Sequence, residues 1–563
     1  MLLATERLET DVLILGGGVA GCIAALQACE AGADVLLVDK AISIKRSGDT
    51  GHGAAFLTCF LELGEDWDTA EPFTRWAVDL CDGLIDESVF RKMGAERVPE
   101  VCRYVEGLGI PLQFPGSEGL RRVKLVWQAA PYSLMFPGKD IKPVLEGHVK
   151  ASGTRLLTGV HVTKILTSGG RAVGATGIGV RDGSFKVITA KSVILALGSS
   201  ERVIHTASRD PFNTYHRPWH GATGYVLATD VGVEIENIEF LGTFLFPKGF
   251  AAGAMSNLLE AGGKLVNGRG ELIPGLPDTG ERLHGWGLPG RATREVLAGR
   301  GPIFIDCTGV SEAKLADLMT YIGYDAPLFV DFLQQSGLDL RKDPVEFQSF
   351  FSTWNATGNP KGLVIDGECA TRVPGLYVAG DLAAPSYSLM GAYSTGWISG
   401  RAAAAAARQA ARPEADQSEV QAELERVRRP LGKRGGVRWR EFEDRLRDTM
   451  TEYVGTSRTA SGLARAGHYL DQSRAAVPDL EAAGPHELMR TLEAIDLLSF
   501  DELMARAALE RTESRFGYLL GHHRADHPQP NDAEWKGKVV RLRRSGRAID
   551  VSLLRLNQSA AAL

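Results

Sequence analysis

The segment from residue 11 to residue 40 constrains the fold of this chain more than any other. It reads DVLILGGGVAGCIAALQACEAGADVLLVDK, so an apolar run, a glycine turn, a helix-like stretch and a second apolar run follow one another. Gly16, Gly18 and Gly21 match G-x-G-x-x-G, in which the glycines allow a tight turn, backbone access for a pyrophosphate, and close packing of helix on strand. Asp39 stands where a ribose hydroxyl needs an acceptor. The segment therefore predicts a βαβ unit that binds a dinucleotide.

Two distant segments extend this prediction to a flavin. Residues 375–381, GLYVAGD, are typical of a buried strand, and the stretch GAYSTGWISGRAAAAAARQA that follows predicts a long helix of small residues. The start of such a helix offers free backbone N–H groups and a positive dipole to the pyrimidine end of a flavin. Residues 192–198, SVILALG, predict a third strand with a glycine stop. A lone glycine pattern also fits a Rossmann domain that binds only nicotinamide, but the agreement of the three segments favours FAD.

The residues expected to contact FAD come from these three segments and from the loops between them. They are mostly small, as close backbone approach to a cofactor requires. The predicted set is Gly16, Gly18, Val19, Ala20, Gly21, Asp39, Lys40, Ser47, Gly48, Gly53, Val162, Ala196, Gly198, Gly380, Asp381, Ser394 and Thr395.

Composition limits the class of protein. The chain has 563 residues with 63 basic and 69 acidic side chains, a net charge of −6, which does not point to nucleic acid. Its seven cysteines contain no C-x-x-C pair, which argues against a disulfide framework and against an iron–sulfur cluster held by this chain. No uncharged apolar run reaches the roughly 18 residues that a membrane span needs. We therefore expect a soluble or peripheral protein of the reducing cytoplasm.

The predicted fold class is α/β. A Rossmann-like FAD-binding domain is split between residues 1–215 and 355–408, and an inserted α+β capping domain occupies residues 216–354. Residues 413–563 change character, because charged and apolar residues alternate there at helical spacing. They predict a C-terminal helical domain that ends in a β-hairpin from Lys538, turning at Ser545-Gly546.

Four longer motifs carry a likeness to a known family. They are DKAISIKRSGDTGHGAAF, GATGYVLATDVGVEIENIEF, LEAGGKLVNGRGELI and the C-terminal RTESRFGYLLGHHRADHPQPNDAEW. In this order, over nearly the whole chain, they resemble the flavoprotein subunits of succinate dehydrogenase, fumarate reductase, L-aspartate oxidase and adenylylsulfate reductase. Shorter matches lean toward the alpha subunit of adenylylsulfate reductase, namely KRSG at 45–48, ATGY at 222–225, NGRGE at 267–271 and GLDLRKDP at 337–344.

This resemblance implies an FAD-dependent oxidoreductase and a partner. Members of the adenylylsulfate reductase branch work with a small ferredoxin-like protein, so electrons would pass between flavin and 4Fe-4S clusters on another polypeptide of a hetero-oligomer. The basic runs Arg426 to Arg440 and Lys538 to Arg547 are candidates for docking an acidic ferredoxin, although such runs usually form solvated faces. Two alternatives stay open: a self-sufficient reductase or oxidase of the fumarate reductase and aspartate oxidase type, and a flavoprotein with a structural FAD and a binding role.

The departures from the family pattern concern the substrate site and the flavin linkage. Succinate and fumarate members attach FAD to a histidine just after an Arg-Ser pair, where this chain has Gly48, so FAD should be held without a covalent bond. Leu259 stands at the likely position of a proton-passing arginine. Residues 246–249, FPKG, replace H-P-T-G, and Thr353 or Trp354 replaces a second substrate histidine. Nor is there a counterpart of the arginine and the Gly-Ser-His of adenylylsulfate reductase.

The remaining polar and aromatic residues near the expected pocket suggest a flatter or less anionic substrate than a dicarboxylate. Among them, Phe244, Phe246, Tyr387 and Ser394 would form the lining. The candidate catalytic residues are Arg291, His52, Lys248, Trp354 and Tyr393.

The simpler alternatives are that His52 is a structural loop histidine and that Arg291 holds a surface ion pair. His216 and His220 have metal-like spacing without an acidic third ligand, so no metal site is predicted. A group of charged residues near the C-terminus, Glu513, Arg515, Arg524 and Asp526, is expected to form ion pairs that pack the helical domain against the flavin domain.

Overall fold

The computed structural model describes residues 4–556, except for residues 126–127, 207–208, 211–216, 251–252, 254, 274–287, 326, 354–359, 386, 456 and 517–519. Its strands form several sheets. In chain order they are β1 (Thr5–Leu15), β2 (Val35–Asp39), β3 (Phe56–Thr58), β4 (Arg121–Val123), β5 (Ser133–Met135), β6 (Arg155–Thr158), β7 (Val160–Ser168), β8 (Arg171–Gly179), β9 (Phe185–Leu195), β10 (Ile235–Glu236), β11 (Leu241–Pro247), β12 (Lys264–Val266), β13 (Ile303–Asp306), β14 (Val345–Ser352), β15 (Gly362–Val364), β16 (Leu376–Val378), β17 (Ala383–Ala384), β18 (Val437–Arg438), β19 (Leu480–Glu481), β20 (Arg515–Phe516), β21 (Leu520–His522), β22 (Lys538–Ser545) and β23 (Ala548–Arg555).

The helices lie between these strands and dominate the C-terminal third. They are α1 (Val19–Glu30), α2 (Ala70–Leu80), α3 (Glu87–Phe90), α4 (Val98–Gly107), α5 (Ile141–Ala151), α6 (Thr223–Asp230), α7 (Met255–Glu260), α8 (Leu288–Leu297), α9 (Glu312–Asp325), α10 (Pro327–Ser336), α11 (Ser388–Gln409), α12 (Gln417–Arg428), α13 (Trp439–Thr449), α14 (Ala460–Ala476), α15 (Pro485–Glu510) and α16 (Asp532–Trp535). Of the helices that can be described, none combines the length and apolar character that a bilayer crossing requires. The fold is α/β, as predicted.

The largest sheet has the strand order β6-β2-β1-β9-β8-β7, with β16 also paired to β9. Strands β6, β2, β1, β9 and β16 run parallel, and β7 and β8 are antiparallel additions. Two strands share one side of β9, because β8 pairs with residues 185–189 and β16 with residues 193–195. Buried parallel strands read as continuous apolar runs, which explains VLIL in β1 and VLLV in β2.

Helices α1 and α11 pack on the parallel sheet and touch each other through glycines. A Cβ atom on Gly396 would lie 2.4 Å from the carbonyl oxygen of Ala20, and one on Gly400 would lie 2.4 Å from that of Ala24. Both distances are far below van der Waals contact, so any side chain would push the helices apart. The small residues of the GAYSTGWISG stretch are therefore a packing requirement of the fold.

The segment between the two flavin-domain parts forms its own sheet and core. The sheet has the order β12-β13-β14-β11-β21-β20 and is antiparallel in its described pairings. Its core includes Leu258, Ile305, Phe329 and Phe347. Strands β20 and β21 come from the C-terminal segment, so this sheet is completed by residues beyond 510.

The C-terminal tail also joins a sheet that begins much earlier in the chain. Strands β22 and β23 pair antiparallel from Lys538↔Arg555 to Ser545↔Ala548, which is the hairpin expected there. Strand β22 then pairs with β10, giving the order β17-β15-β10-β22-β23. The described residues beyond 413 thus form most of a helical region. They also supply strands β20 to β23 to two sheets, and the other strands of those sheets lie before residue 385.

The ion pairs expected near the C-terminus are present. Arg515 bonds Glu513 at 2.8 Å, and Arg524 bonds Asp526 at 2.8 Å. Arg511 adds a buried link, because it contacts Glu239 at 2.7 Å as well as Glu513. The Arg511–Glu239 pair holds the end of the chain against the segment that precedes β11, and Arg515 also pairs with Asp82 in the loop after α2. The Arg524–Asp526 pair joins residues only two positions apart.

Candidate cofactor and active site

A cavity opens at the carboxyl end of the parallel sheet. Strands β1, β2, β9 and β16 all end there. The four residues that directly follow them, Gly16, Lys40, Ala196 and Ala379, line its wall together with Gly380. Ligands of parallel α/β sheets bind at this edge, where the strand order reverses. The sheet therefore places a cavity where a dinucleotide is expected.

Three helices begin at this cavity. Residues at or next to the N-termini of α1, α6 and α11 belong to its lining, namely Gly18 and Val19, Ala222 and Thr223, and Ser388 and Leu389. The first N–H groups of a helix have no partner within it, and the helix dipole is positive at that end. The cavity is consequently suited to an anionic ligand such as a pyrophosphate.

The three glycines of the turn have different roles. A Cβ on Gly16 would lie 2.2 Å from the oxygen of Ala196, and one on Gly21 would lie 1.8 Å from the oxygen of Gly16. Gly16 also has a φ of +109°, which favours glycine. A Cβ on Gly18 would meet only the Cα of Gly48, at 3.7 Å. The protein itself therefore leaves room at Gly18, and that room is the cradle a pyrophosphate fits.

Asp39 organises the loops around the turn. Its carboxylate accepts hydrogen bonds from the N–H groups of Gly17 and Ala41 and from the hydroxyl of Ser47, each at 2.6 Å. A carboxylate offers about four acceptor sites, so one is left for a ribose hydroxyl. Below the turn, the buried ammonium of Lys142 donates to the carbonyl of Gly17 at 2.5 Å and fixes it from the other side.

Most residues predicted to contact FAD line the cavity, and three do not. Gly21 lies behind the turn, where it lets α1 approach β1. Ser394 and Thr395 are buried on the inner face of α11, where the hydroxyl of Thr395 accepts the N–H of Gly380 at 2.8 Å. The predicted residues that line it are Gly16, Gly18, Val19, Ala20, Asp39, Lys40, Ser47, Gly48, Gly53, Val162, Ala196, Gly198, Gly380 and Asp381.

Several lining residues were not singled out from the sequence. His161 and Trp219 are two of them. His220, for which a pocket or hinge role was favoured over a metal site, also lines the cavity. The Nδ1 atom of His220 lies 3.5 Å from a carboxylate oxygen of Asp49. His216, its possible metal partner, falls outside the described residues.

The five candidate catalytic residues are not gathered at the cavity by the described structure. Lys248 is 63% exposed and pairs with Glu346 at 2.8 Å on the surface. Arg291 lies on α8, which packs on the sheet of the inserted segment. Tyr393 is buried in the main core, and burial raises the pKa of its phenol above the usual range. His52 belongs to the loop whose residues Gly48 to Thr50 and Gly53 line the cavity, and Trp354 lies outside the described residues.

Leu259, Phe246 and either Thr353 or Trp354 are expected where fumarate-type relatives carry cations; the first three have neutral side chains, and Trp354 lies outside the described residues. Leu259 packs against the core of the inserted segment. Thr353 is buried, and its hydroxyl and that of Ser200 are 2.8 Å apart. Phe244 and Phe246 stack in parallel with ring centroids 5.8 Å apart. The described lining of the cavity includes none of the side chains of Leu259, Thr353, Phe244 and Phe246.

Lys361 is a buried cation that sequence reasoning missed. Its ammonium donates to the carbonyl of Phe240 at 3.2 Å, and only 3% of the residue is exposed. Burial lowers its pKa to about 7, against the opposing influence of Glu201 and Glu239. No local sequence pattern distinguishes such a lysine from a surface one, because its burial depends on packing between distant segments.

Comparison with known proteins places the chain in a family. The family described as FAD binding domain matches residues 11–398, and the one described as fumarate reductase flavoprotein C-term matches residues 443–558. A fumarate reductase (CoM/CoB) subunit from Methanothermobacter marburgensis is 24% identical, over 95% of this chain and 97% of its own length. The L-aspartate oxidase of Streptomyces coelicolor is 26% identical, over 95% of this chain and 91% of its own.

Solved structures share the fold. Adenylylsulfate reductase from Archaeoglobus fulgidus superposes with a TM-score of 0.86 at 22% identity, covering 98% of this chain and 96% of that one. The FrdA chain of E. coli quinol fumarate reductase superposes with a TM-score of 0.80 at 20% identity, covering 98% of this chain and 97% of that one. The resemblance to adenylylsulfate reductase that the motifs indicated is thus confirmed at the level of the fold.

Replacing Gly18 by valine should abolish FAD retention without unfolding the protein. The structure leaves space for a Cβ there, so the added side chain would displace the pyrophosphate rather than the backbone. Affinity for FAD, measured by fluorescence quenching with the apoprotein, should fall by roughly 100-fold or more. Gly119→Val, in an exposed loop with open space around its Cβ, is the matched control. Normal flavin content in a folded Gly18→Val protein would show that the cofactor lies elsewhere.

FAD should leave the protein completely on acid precipitation. Gly48 has no side chain to form a bond, and its φ of +73° together with a Cβ position 2.8 Å from the Cα of Gly18 disfavours any other residue there. Yellow colour should appear in the supernatant, while a flavoprotein with covalent flavin, treated in parallel, keeps its colour in the pellet. Flavin remaining on the precipitated chain would contradict the expectation.

Proposed function

Because this chain belongs to the FAD-dependent flavoprotein family that includes fumarate reductase and L-aspartate oxidase, we propose that it is the flavoprotein subunit of a two-component oxidoreductase. Its FAD takes up or releases the electrons of the reaction. The protein holds the cofactor through the Gly16–Gly21 turn, Asp39 and the N-termini of α1, α6 and α11. The substrate would be a small molecule, and the electron partner a ferredoxin-like iron–sulfur protein.

The state of the cysteines supports an external electron partner. Six of the seven are buried and the seventh, Cys29, is partly buried, and all are free thiols. Burial raises the pKa of Cys307 to about 11 and those of Cys81 and Cys369 further. Among the described residues, no group of three or more His, Cys, Asp or Glu side chains is placed to hold a metal ion. Electrons that leave the flavin for a cluster must therefore reach another polypeptide, and a relative matched over nearly its full length is itself called a subunit.

The structure narrows the surface on which such a partner would dock. In the tail, Arg541, Arg543 and Arg544 are already paired with Glu236, Asp550 and Glu502. In the other basic run, Arg426 is tied to Glu423, whereas Arg429, Arg434 and Arg440 are exposed. We therefore assign docking to the run around residues 428–440 rather than to the hairpin.

The substrate is proposed to be less anionic than a dicarboxylate. The expectation that carries this is the replacement of cations by Leu259, Phe246 and either Thr353 or Trp354. It is supported by the packing of Leu259 in the inserted segment and by the hydrogen bond between the Thr353 and Ser200 hydroxyls. Catalysis requires groups that bind charge as it develops, and neutral side chains at those positions cannot do so for two carboxylates.

Fumarate and succinate should not be turned over at an ordinary enzymatic rate. The missing cationic clamp removes both carboxylate binding and the proton donor. Reduction of fumarate by a viologen dye, followed anaerobically with the holoprotein, should stay well below about 1 per second. A genuine fumarate reductase assayed in the same cuvette is the control, and comparable turnover by this protein would refute the proposed substrate class.

A ferredoxin-like partner should copurify from the native host. Affinity purification at low salt should yield iron together with flavin, and iron should be lost as salt is raised, because exposed charges are screened. Replacing Arg428, Arg429, Lys433 and Arg434 by serine should slow association while flavin content stays normal. Serine at Lys264, Arg269, Lys314 and Lys342, all exposed on the inserted segment, is the matched control and should leave association unchanged.

A second candidate is a self-sufficient oxidase or reductase. It is favoured by the L-aspartate oxidases among the relatives, which this chain matches over nearly its full length. Isolation of an iron-free flavoprotein that completes substrate turnover with oxygen would select this candidate. The same result would reject the two-component proposal.

A further inference from the structure

A carboxylate of the C-terminal helical segment reaches the wall of the cofactor cavity. Glu493, on α15, is fully buried and bonds Arg202 at 3.0 Å and Arg490 at 2.9 Å. It also bonds the ammonium of Lys40, which lines the cavity directly after β2. The same ammonium donates to the carbonyl of Trp219 at 2.6 Å, and Trp219 is a lining residue too. Glu493 thus fixes two pieces of the cavity wall through one side chain.

These pieces lie at one end of the cavity. In dinucleotide folds the residues at the carboxyl end of the second strand contact the adenosine ribose. Lys40 follows Asp39 at that place, so its neighbours surround the adenosine half of the cofactor. His161, from β7, lines the same cavity, and its Nε2 is buried without a hydrogen-bond partner among the described atoms. Burial and the nearby Lys40 lower the pKa of His161 to about 3, so the ring is neutral and one nitrogen is an acceptor.

We propose that Glu493 is a positioning residue for the adenosine half of FAD, and that α15 is thereby part of the cofactor site. Glu493 touches no cofactor atom. It holds Lys40 in one conformation and, through Lys40, holds the Trp219 carbonyl, so that the wall that includes His161 is set before FAD binds. Without it, the four-carbon chain of Lys40 would gain rotamers that binding must freeze out.

The electrostatics of the cluster support this assignment. Three cations surround Glu493, and they hold the pKa of its carboxyl well below the usual range although burial opposes this. Arg202 faces Glu443 as well, at 3.6 Å. Removing the charge of Glu493 would leave the ammonium of Lys40, next to the cavity, without its carboxylate partner. Lys40 would turn toward other acceptors, and the position that it now occupies would be lost.

The alternative is that Glu493 only staples the helical segment to the flavin domain. If Glu493 had only that role, its loss would lower the stability of the protein but would not affect binding of one half of the cofactor more than the other. AMP, which carries the adenosine half alone, separates the two possibilities. The apoprotein should bind AMP as a competitor of FAD, and only a positioning role makes that affinity depend on Glu493.

The experiment compares Glu493→Gln with Glu502→Gln in the full-length apoprotein. Glu502 lies on the same helix and bonds two arginines, Arg474 and Arg544, away from the cavity. Glu493→Gln should lower the affinity for FAD and for AMP about tenfold, which corresponds to about 1.4 kcal/mol of binding free energy. Glu502→Gln should leave both affinities unchanged. Unchanged affinities in folded Glu493→Gln, or equal losses in both variants, would overturn the proposal.

A double-mutant cycle with Lys40→Met tests the route from Glu493 to the cavity. If Glu493 acts through Lys40, adding Glu493→Gln to Lys40→Met should cause no further loss of AMP affinity, whereas independent effects would add. Additive losses would overturn the proposal. Should Glu493→Gln fail to fold, Lys40→Met alone decides, because normal AMP and FAD affinity in that variant would leave Glu493 nothing to position.

Discussion

The close approach of backbone to backbone around α1 sets the geometry of the whole cofactor cavity. Gly21 lets the first turn of α1 rest on the carbonyl of Gly16, Gly16 rests on that of Ala196, and Gly396 lets α11 rest on that of Ala20. Each contact is too short for any side chain. As a result, two helix N-termini and the ends of β1 and β9 meet within one small volume, and their N–H groups and dipoles converge on it.

Those parts of the site that depend on local sequence were predictable. A glycine turn between an apolar strand and a helix has few conformations, so Gly16, Gly18 and Asp39 could be placed from the pattern alone. The helix rich in small residues gave no comparable guide to orientation, since it has no polar face that would reveal its rotation. That is why Ser394 and Thr395, expected at the flavin, are buried within the fold instead: Thr395 accepts the N–H of Gly380, and Ser394 contacts the hydroxyl of Tyr387.

The missed residues share one property, which is that they reach the cavity through contacts between distant segments. Lys142, His161 and Glu493 lie on α5, β7 and α15, and no local pattern relates them to the glycine turn. The catalytic candidates were chosen by their positions in sequence motifs, but a motif does not determine the direction in which a side chain points. Lys248 follows the last residue of β11 and turns to solvent, where Glu346 neutralises it. The position of Lys248 next to a strand therefore did not determine the direction of its side chain.

The sheet that contains the C-terminal hairpin has a consequence for how the cavity comes into being. Glu236 of β10 and Arg541 of β22 are hydrogen-bonded although they are 305 residues apart in sequence. The same sheet holds β15 and β17, and β17 leads directly into the start of α11 at the cavity. A ribosome delivers β10 long before β22, and contacts of such high sequence separation form late and slowly. The sheet that immediately precedes α11 is therefore complete only after the hairpin of β22 and β23 has been synthesised.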